Sequence, residues 1–584
     1  MNCWQGASMG IDGRKFTLLA CGLLAAVSLY WISFYRLSER SLNDYSFGIE
    51  LYRGVPRAGI DYSEPLETVP RSFARYELPP LGEKLYLGAA KAALPLSFWA
   101  LARLFAPPWA AALAACAALL FSMRAGLNHE MLYYCSVFLC AAAAFVLRAR
   151  DPSPRRSALG GLCLGVSLLL RPPLFLWGLL LWLWEMLQRK YGTLREALAH
   201  GFGLVLLPFL FLLPWFWMGA NLPDSVPTNL ERMRSADNVV AGAYGLAQTT
   251  EGEMRVTAGI APGESIGRWA VGETLSHPLR YLRGMGRRLW LFFAWEPALA
   301  LCCFGALFVT SRRVPETRLA AGLCAYYLFL HLLMPVEPRY FMPVWLLAFI
   351  FPAAIFYRGE RFPRDSGAAL SAVLAPLLVL SAAVSFLALA YPSRASAFRG
   401  FSYDAPPKNA WLLSRACGDY LATGDAGKAA LFCRLAAADE RPDPDARPTL
   451  FIYLLSRGEN LDAALLASPF ADYLPQTHAY RALYVASPLL NGGRLEAERR
   501  YAKMLNYWKG GVVYFRGRVP DYENPLLKKH YDSSRAFEEY ALFPALGRFP
   551  PDLRTRLARE LVGIGADIPA IEYLALSGQT GGAK

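Results

Sequence analysis

Two acidic residues stand just beyond the first long apolar stretch of this chain. Residues 16–35 are twenty uncharged residues that run directly into RLSERSLNDYS, where Glu39 and Asp44 are the acids. A carboxylate at that position is either a solvated loop residue or the catalytic group of an enzyme that works at a membrane face. The other ionisable residues of the chain decide between these two interpretations.

Arginines at membrane edges form the second group of candidates. Arg171 lies between two apolar segments in LLLRPPLFLW with no acid nearby, and a guanidinium binds phosphate through paired hydrogen bonds. The alternative is an arginine that snorkels and caps helix carbonyls. Arg280, Arg283 and Arg287 are spaced to share one face of a helix. That strip fits either a lipid-linked phosphate or a plain amphipathic helix at the membrane interface.

Two further segments place polar groups at the same predicted membrane edge. PVEPRYFMP contains Glu337, Arg339 and Tyr340, and NHEMLYY contains His129 and Glu130. Glu337 and Arg339 could pair with other residues, and a histidine at an edge is commonly solvated. The sequence has no Walker loop, dinucleotide fingerprint, HExxH motif or nucleophile elbow, which argues against ATP or NAD chemistry.

The composition indicates the elements that must position these residues. The chain has 584 residues, of which 55% are hydrophobic and 18% charged, whereas soluble domains contain about 25% charged residues. Apolar runs of about twenty residues can cross a bilayer as helices. We therefore predict an all-α protein, with a polytopic transmembrane domain over residues 1–392 and a soluble α-helical domain over 393–584. The eleven predicted spans are 16–35, 84–106, 108–123, 130–148, 157–171, 172–188, 198–218, 288–310, 318–335, 340–357 and 367–391.

The positions of the basic clusters predict the orientation. The net charge of +14 is not read as a nucleic-acid signal, because the clusters lie between spans. Arg14 and Lys15, and the clusters at 148–156, 188–190, 311–313 and 357–364, all fall on the cytoplasmic side if the N-terminus is cytoplasmic, as the positive-inside rule requires. This orientation puts the candidate site residues and the C-terminal domain outside. Residue usage rich in Ala, Leu and Arg, without an organellar signal, favours a bacterial inner membrane with a periplasmic tail.

The C-terminal domain carries a repeat. GDAGKA at 424, GENLDA at 458 and GGRLEA at 492 share the pattern Gly-x-x-x-x-Ala and recur every 34 residues, the period of tetratricopeptide-type helical hairpins. Such a repeat tail could bind a protein partner or only brace its neighbour. Cys417 and Cys433 flank the first glycine almost symmetrically, so they either form a disulfide outside the cytoplasm or remain two buried thiols.

In their order along residues 14–392, these motifs resemble those of the GT-C superfamily of lipid-linked sugar glycosyltransferases. The nearest branch comprises protein-mannosyltransferase and aminoarabinose-transferase-like proteins. The family's first outer loop commonly reads Ser-Leu-Trp-x-Asp-Glu-x-Tyr-Ser, and this chain lacks the glutamate after the aspartate. The matching residues are Ser41, Leu42, Asp44, Tyr45, Ser46, the PPL at 79–81, Glu130, Met131, Tyr133, Arg171, Pro172, Arg339, Tyr340 and Pro343.

The resemblance implies roles for these residues. Asp44 would be the general base that deprotonates the acceptor hydroxyl, with Glu39 in reserve. The donor would be a polyprenyl-phosphate sugar, transferred with inversion to a glycolipid, glycan or protein hydroxyl. Its phosphate would meet Arg171 and Arg339, with Tyr340, Arg280 and Arg283 as further candidates. His129, Glu130 and Glu337 would complete the pocket.

Metal use and two other functions stay open at this point. Some relatives hold a divalent cation at the outer-loop acid, and with one clear acid here no tight metal site is expected. A transporter or flippase of lipid-linked cell-envelope intermediates could share the arginines, although it would more naturally show inverted repeats. A scaffold anchored in the membrane would not need eleven spans.

Overall fold

The structure is a computed structural model. It describes residues 13–34, 65–76, 78–127, 129–220, 233–248, 258, 260, 265–357, 363–397, 413, 416–417, 420, 425–438, 485–486, 488–489, 492–511 and 551–566.

Regular structure in the described residues is helical, as predicted from the composition. Many helices begin at proline, whose fixed φ suits the first turn and whose missing N–H is not needed there. The helices are α1 Gly13–Phe34, α2 Pro65–Tyr76, α3 Pro80–Ala102, α4 Pro108–Ala125, α5 His129–Arg150, α6 Pro154–Leu170, α7 Trp177–Leu187, α8 Leu194–Gly201, α9 Leu207–Leu210, α10 Leu213–Ala220, α11 Met233–Ala243, α12 Ile266–Ser276, α13 Pro278–Trp295, α14 Pro297–Thr310, α15 Glu316–Leu332, α16 Met342–Ala348, α17 Ile350–Ala354, α18 Arg364–Ala397, α19 Ala426–Ala438, α20 Arg494–Gly511 and α21 Pro551–Gly563. A π-helical segment, Phe202–Leu206, joins α8 to α9.

Several helices are long and apolar enough to cross a membrane. Among the described residues there are six, and the pair α13 and α14, bent by 96°, makes a seventh if it counts as one span. The predicted spans at 157–171, 172–188, 318–335 and 340–357 fall on shorter helical segments. The class of helical membrane protein is thus supported, and the number of eleven spans stays a prediction.

Helix α5 forms the centre of the helical bundle. Its apolar stretch from Met131 is buried on all sides, and it packs against α3, α6, α15, α16 and α18. A helix that is apolar all round belongs in such a core. Helix α6 packs closely on the π-helical segment because Gly161 and Gly203 face each other. A Cβ on Gly161 would lie 1.8 Å from the Gly203 carbonyl oxygen.

The bundle has two polar ends. At the first, which we term the basic end, Arg103 pairs with Asp365 at 2.8 Å and Arg150 pairs with Glu316 at 2.8 Å. At the other, termed the rim end, Arg124 pairs with Glu296, the residue at the bend between α13 and α14. The clusters at 148–156 and 311–313, predicted to be cytoplasmic, both border the basic end.

By contacts the chain divides into two units. The membrane unit comprises residues 1–40, 44–227 and 286–399, and the second unit comprises 41–43, 228–285 and 400–584. The second unit thus includes 228–285, which contains the first eight residues of α13, and residues 400–584 of the predicted C-terminal domain. The predicted boundary at 392/393 stays a prediction.

The C-terminal part of the second unit bears on the repeat and the cysteines. Helices α19 and α20 each begin two residues after a repeat glycine, and Gly492 has the left-handed φ of 74° that suits glycine between two helices. Gly424 and Gly458 lie outside the described residues, so the stack of three units stays a prediction. Cys417 and Cys433 are both buried and form a disulfide with a Cα–Cα distance of 4.7 Å.

Candidate active site

Two predicted phosphate ligands meet at the rim end of the membrane unit. The Arg171 guanidinium carbon lies 5.9 Å from the centre of the Tyr340 ring, and that of Arg339 lies 5.5 Å from the same ring. Residues 171 and 339 are far apart in sequence, yet their two positively charged groups converge on one aromatic ring. The arrangement therefore suits a ligand with negative charge beside an aromatic wall.

The local backbone brings these side chains to the rim. Helix α6 ends at Leu170, and Arg171 is extended, with φ −155° and ψ 138°, because Pro172 follows it. A short 3₁₀ turn, Pro338–Phe341, carries both Arg339 and Tyr340. Prolines thus fix the backbone conformation from which the Arg171 and Arg339 side chains project.

Glu337 holds one of the two arginines. Its Oε2 lies 2.7 Å from Arg339 Nε, and its Oε1 accepts a hydrogen bond from the Tyr340 hydroxyl at 3.3 Å. The Arg339 side chain is 42% exposed and that of Glu337 is 14% exposed. Glu337 therefore orients Arg339, which also donates from Nη2 to Glu337 Oε1 at 3.2 Å.

An aromatic layer lies beneath the arginines. The His331 ring stacks on Tyr327 at 4.2 Å and lies 6.0 Å from the Tyr340 ring. Tyr327 in turn lies 6.2 Å from Tyr134, in the second turn of α5. Sequence reasoning missed His331 because it stands inside an apolar run.

Arg288 is a second residue that sequence reasoning did not place. It is fully buried, and its Nη1 donates a hydrogen bond to the Leu332 carbonyl at 2.7 Å. The sequence pattern grouped Arg280, Arg283 and Arg287 on one helical face. Arg288 stands next to that face and is buried within the membrane unit.

A buried ion pair lies on α2, between the predicted catalytic loop and α3. Glu67 is 0% exposed, and its Oε1 lies 3.7 Å from Arg71 Nη1. The Glu67 carboxylate lies near Tyr86 and Tyr133, whose rings are 5.6 Å apart. In the sequence, this ion pair could have been found from the i, i+4 spacing of Glu67 and Arg71 on an amphipathic helix. Glu67 thus supplies a second carboxylate near the first turns of α5.

Arg280 and Arg283 belong to the second unit. Arg280 contacts Glu273, lies 4.6 Å from the centre of the Tyr244 ring and reaches the Ala243 carbonyl at 3.5 Å. Burial, with the Glu273 charge as a smaller cause, raises the pKa of Tyr244. Arg283 is exposed. Arg280 thus has partners within its own unit, and the phosphate role of both arginines stays a prediction.

The remaining predicted site residues lie outside what the structure describes. Asp44 and Glu39 are among the undescribed residues, as are the side chains of His129 and Glu130. The α5 backbone begins at His129, five residues before Tyr134. Within the described part of the chain, no three His, Cys, Asp or Glu side chains are grouped as metal ligands.

Comparison with known proteins gives no assignment. No family model, curated protein or solved structure matches this chain.

Proposed function

We propose that the chain is an integral-membrane glycosyltransferase that moves a sugar from a polyprenyl-phosphate donor to an acceptor hydroxyl. The observation that supports this most is the pair of guanidinium groups, Arg171 and Arg339, which lie 5.9 and 5.5 Å from the Tyr340 ring at one end of an apolar bundle. A donor with a lipid chain and a phosphate needs both parts: apolar helices below and paired arginines above.

The proposed reaction is a single displacement. The acceptor hydroxyl attacks the anomeric carbon while the bond from that carbon to the phosphate oxygen breaks, and the configuration inverts. Asp44 takes the hydroxyl proton, and polyprenyl phosphate leaves with the bonding electrons. Arg171 and Arg339 stabilise the charge that grows on the leaving phosphate.

The proposed orientation has eleven spans, a cytoplasmic N-terminus and a periplasmic tail. It follows from the positive-inside rule. The disulfide between Cys417 and Cys433 supports an extracytoplasmic tail, since disulfides persist in oxidising compartments. The described cysteines of the membrane helices, by contrast, are free.

The test is release of polyprenyl phosphate by the purified full-length protein, supplied with a panel of polyprenyl-phosphate sugars and hydroxyl acceptors. Loss of one charged donor to the transition state typically lowers kcat about 10²–10³-fold, and we expect that for Arg171→Ala. Arg171→Lys keeps the charge but not the paired geometry, so it should recover only part of the rate. For Asp44→Asn we expect a loss of about 10²–10⁴-fold.

The control is Arg312→Ala, which removes an exposed arginine at the basic end and should leave the rate unchanged. All four variants must show wild-type membrane insertion and thermal stability. Wild-type rates in both Arg171→Ala and Asp44→Asn would refute the proposed site. Lipid-linked sugar moved across vesicles without release of polyprenyl phosphate would instead indicate a flippase.

A further inference from the structure

A large cavity at the basic end belongs to neither the rim residues nor the proposed reaction. It has a volume of about 920 Å³ and lies against α7 and α15 of the membrane unit. This size is within the range of about 300–1,000 Å³ that is usual for small-molecule sites. One part of its wall is apolar and is formed by Trp177, Leu180, Leu181, Trp184, Leu319 and Gly322.

The carboxylates that border the cavity are already satisfied. Glu185 is held by Arg148, whose Nη1 and Nη2 donate at 2.7 and 2.6 Å. Glu316 accepts from Arg150 Nε at 2.8 Å. Glu196 accepts from the Gly192 N–H at 2.9 Å, at the start of α8. Arginines thus neutralise Glu185 and Glu316, whereas Glu196 keeps its negative charge.

Two cations on the cavity wall form no close ion pair among the described residues, although Lys190 lies near enough to Glu185 to interact with its charge. Lys190 and Arg318 are exposed and line the cavity. Within the described part of the chain no carboxylate oxygen lies within 4.0 Å of either side chain's charged nitrogens, and Arg318 Nε donates to the Ser311 carbonyl at 2.8 Å. Glu196 offsets one of these two charges, so the wall has a net excess of one positive charge.

The backbone holds Lys190 at this place. Arg189 adopts a left-handed conformation, with φ 53°, and the Lys190 N–H donates to the Glu185 carbonyl at 3.1 Å. These two features form the closing turn of α7. Lys190 consequently follows directly on the helix that supplies most of the apolar wall.

From these observations we propose that the cavity binds an anionic phospholipid. The headgroup phosphate contacts Lys190 and Arg318, and an acyl chain lies along Trp177, Leu180 and Leu319. Basic pockets between membrane helices on the cytoplasmic side are typical sites for such headgroups. A soluble anion would use the cations but leave the apolar wall uncovered, so the occupant is a lipid. This proposal is independent of the glycosyltransferase proposal, because it uses none of the rim residues.

The test measures lipid binding by the delipidated full-length protein in detergent. Dioleoyl phosphatidylglycerol is titrated, and the rise in melting temperature gives an apparent Kd. At about 1 kcal/mol per surface cation, removing both cations in Lys190→Ala/Arg318→Ala should weaken binding on the order of 30-fold. The matched control is Arg195→Ala/Arg312→Ala, which removes two exposed arginines that do not line the cavity and should keep the wild-type Kd.

A second pair of variants tests the apolar wall. A Cβ on Gly322 would meet only Trp177 Cη2, at 3.7 Å, so Gly322→Ala should fold and bind as wild type. Gly322→Leu should fill the space of the acyl chain and weaken phosphatidylglycerol binding at least tenfold. The Gly322→Leu variant keeps the proposal testable if Lys190→Ala/Arg318→Ala does not fold.

Three results would overturn the proposal. Equal stabilisation by dioleoyl phosphatidylcholine would mean that the headgroup charge is not recognised. An equal loss of affinity in the control double variant would mean that only the general surface charge matters. Equal binding of glycerol phosphate would assign the cavity to a soluble anion.

Discussion

Replacing Glu185 by glutamine tests how much the buried ion pair at the basic end stabilises the fold. The Glu185 carboxylate receives hydrogen bonds from two Arg148 nitrogens and from the Tyr191 hydroxyl at 2.6 Å. The Arg148 side chain is 4% exposed and that of Glu185 is 10% exposed. In Glu185→Gln, an amide N–H₂ group faces these donors and the guanidinium loses its counter-charge.

The expected magnitude follows from that burial. Removing one partner of a buried ion pair typically costs about 3–5 kcal/mol in the free energy of unfolding. Because the pair borders a cavity that water can enter, we expect the lower end, about 3 kcal/mol. In Arg148→Met/Glu185→Leu both charges are replaced by apolar groups, so the loss should fall to about 1 kcal/mol or less.

The assay is reversible unfolding of the full-length protein in mixed micelles, followed by tryptophan fluorescence. Asp151→Asn is the matched control, since Asp151 pairs with Arg156 at 3.9 Å near the same end but is 72% exposed. Exposed pairs contribute about 0–1 kcal/mol, so this control should change little. A Glu185→Gln effect no larger than that of Asp151→Asn would refute the reasoning.

Three other changes have defined expected results. The disulfide between Cys417 and Cys433 closes a loop of about 16 residues. Cys417→Ser should therefore destabilise the C-terminal helices by about 3 kcal/mol, measured by protease resistance. Alkylation of both thiols in the unreduced wild type would contradict this prediction. Gly161→Ala would place a Cβ 1.8 Å from a carbonyl oxygen of the facing segment, whereas a Cβ at Gly305 would meet nothing within 4 Å. Only Gly161→Ala should therefore lower the yield of folded protein in size-exclusion chromatography. Equal yields of Gly161→Ala and Gly305→Ala would contradict the close packing at Gly161. Arg189 has a left-handed backbone, so Arg189→Gly should raise the free energy of unfolding by about 1 kcal/mol, and a decrease would contradict the strain assigned to it.

The sequence predicts the features that depend on composition and short-range pattern. Apolar runs reveal helices such as α5, because a buried helix in a bundle must be apolar on all sides. The spacing of Cys417 and Cys433 around a turn left open a disulfide or two buried thiols, and the structure contains the disulfide. Proline positions likewise indicated the irregular backbone at Arg171 and Arg339.

The sequence does not predict which partner a charged side chain finds. Arg280 shares the helical spacing of a basic strip, yet it contacts Glu273 and Tyr244 within its own unit. Arg288 does not share that spacing, and it alone of the strip is fully buried. Helical periodicity assigns a residue to a face, whereas its partner depends on contacts between segments distant in sequence.

Helix α6 separates the two candidate sites of the membrane unit. Its first turn carries Ser157, whose hydroxyl accepts from Arg148 Nε at 2.7 Å, and Arg171 follows its last residue. Seventeen helical residues span about 25 Å, close to the thickness of the hydrocarbon core. The close contact at Gly161 holds this helix against the π-helical segment. Helix α15 also runs between the two sites, since it carries Gly322 at the cavity and His331 beneath the rim arginines. A change at the cavity can therefore reach the rim through either helix, and a rim variant that loses transfer but keeps wild-type stability would locate the defect at the rim end.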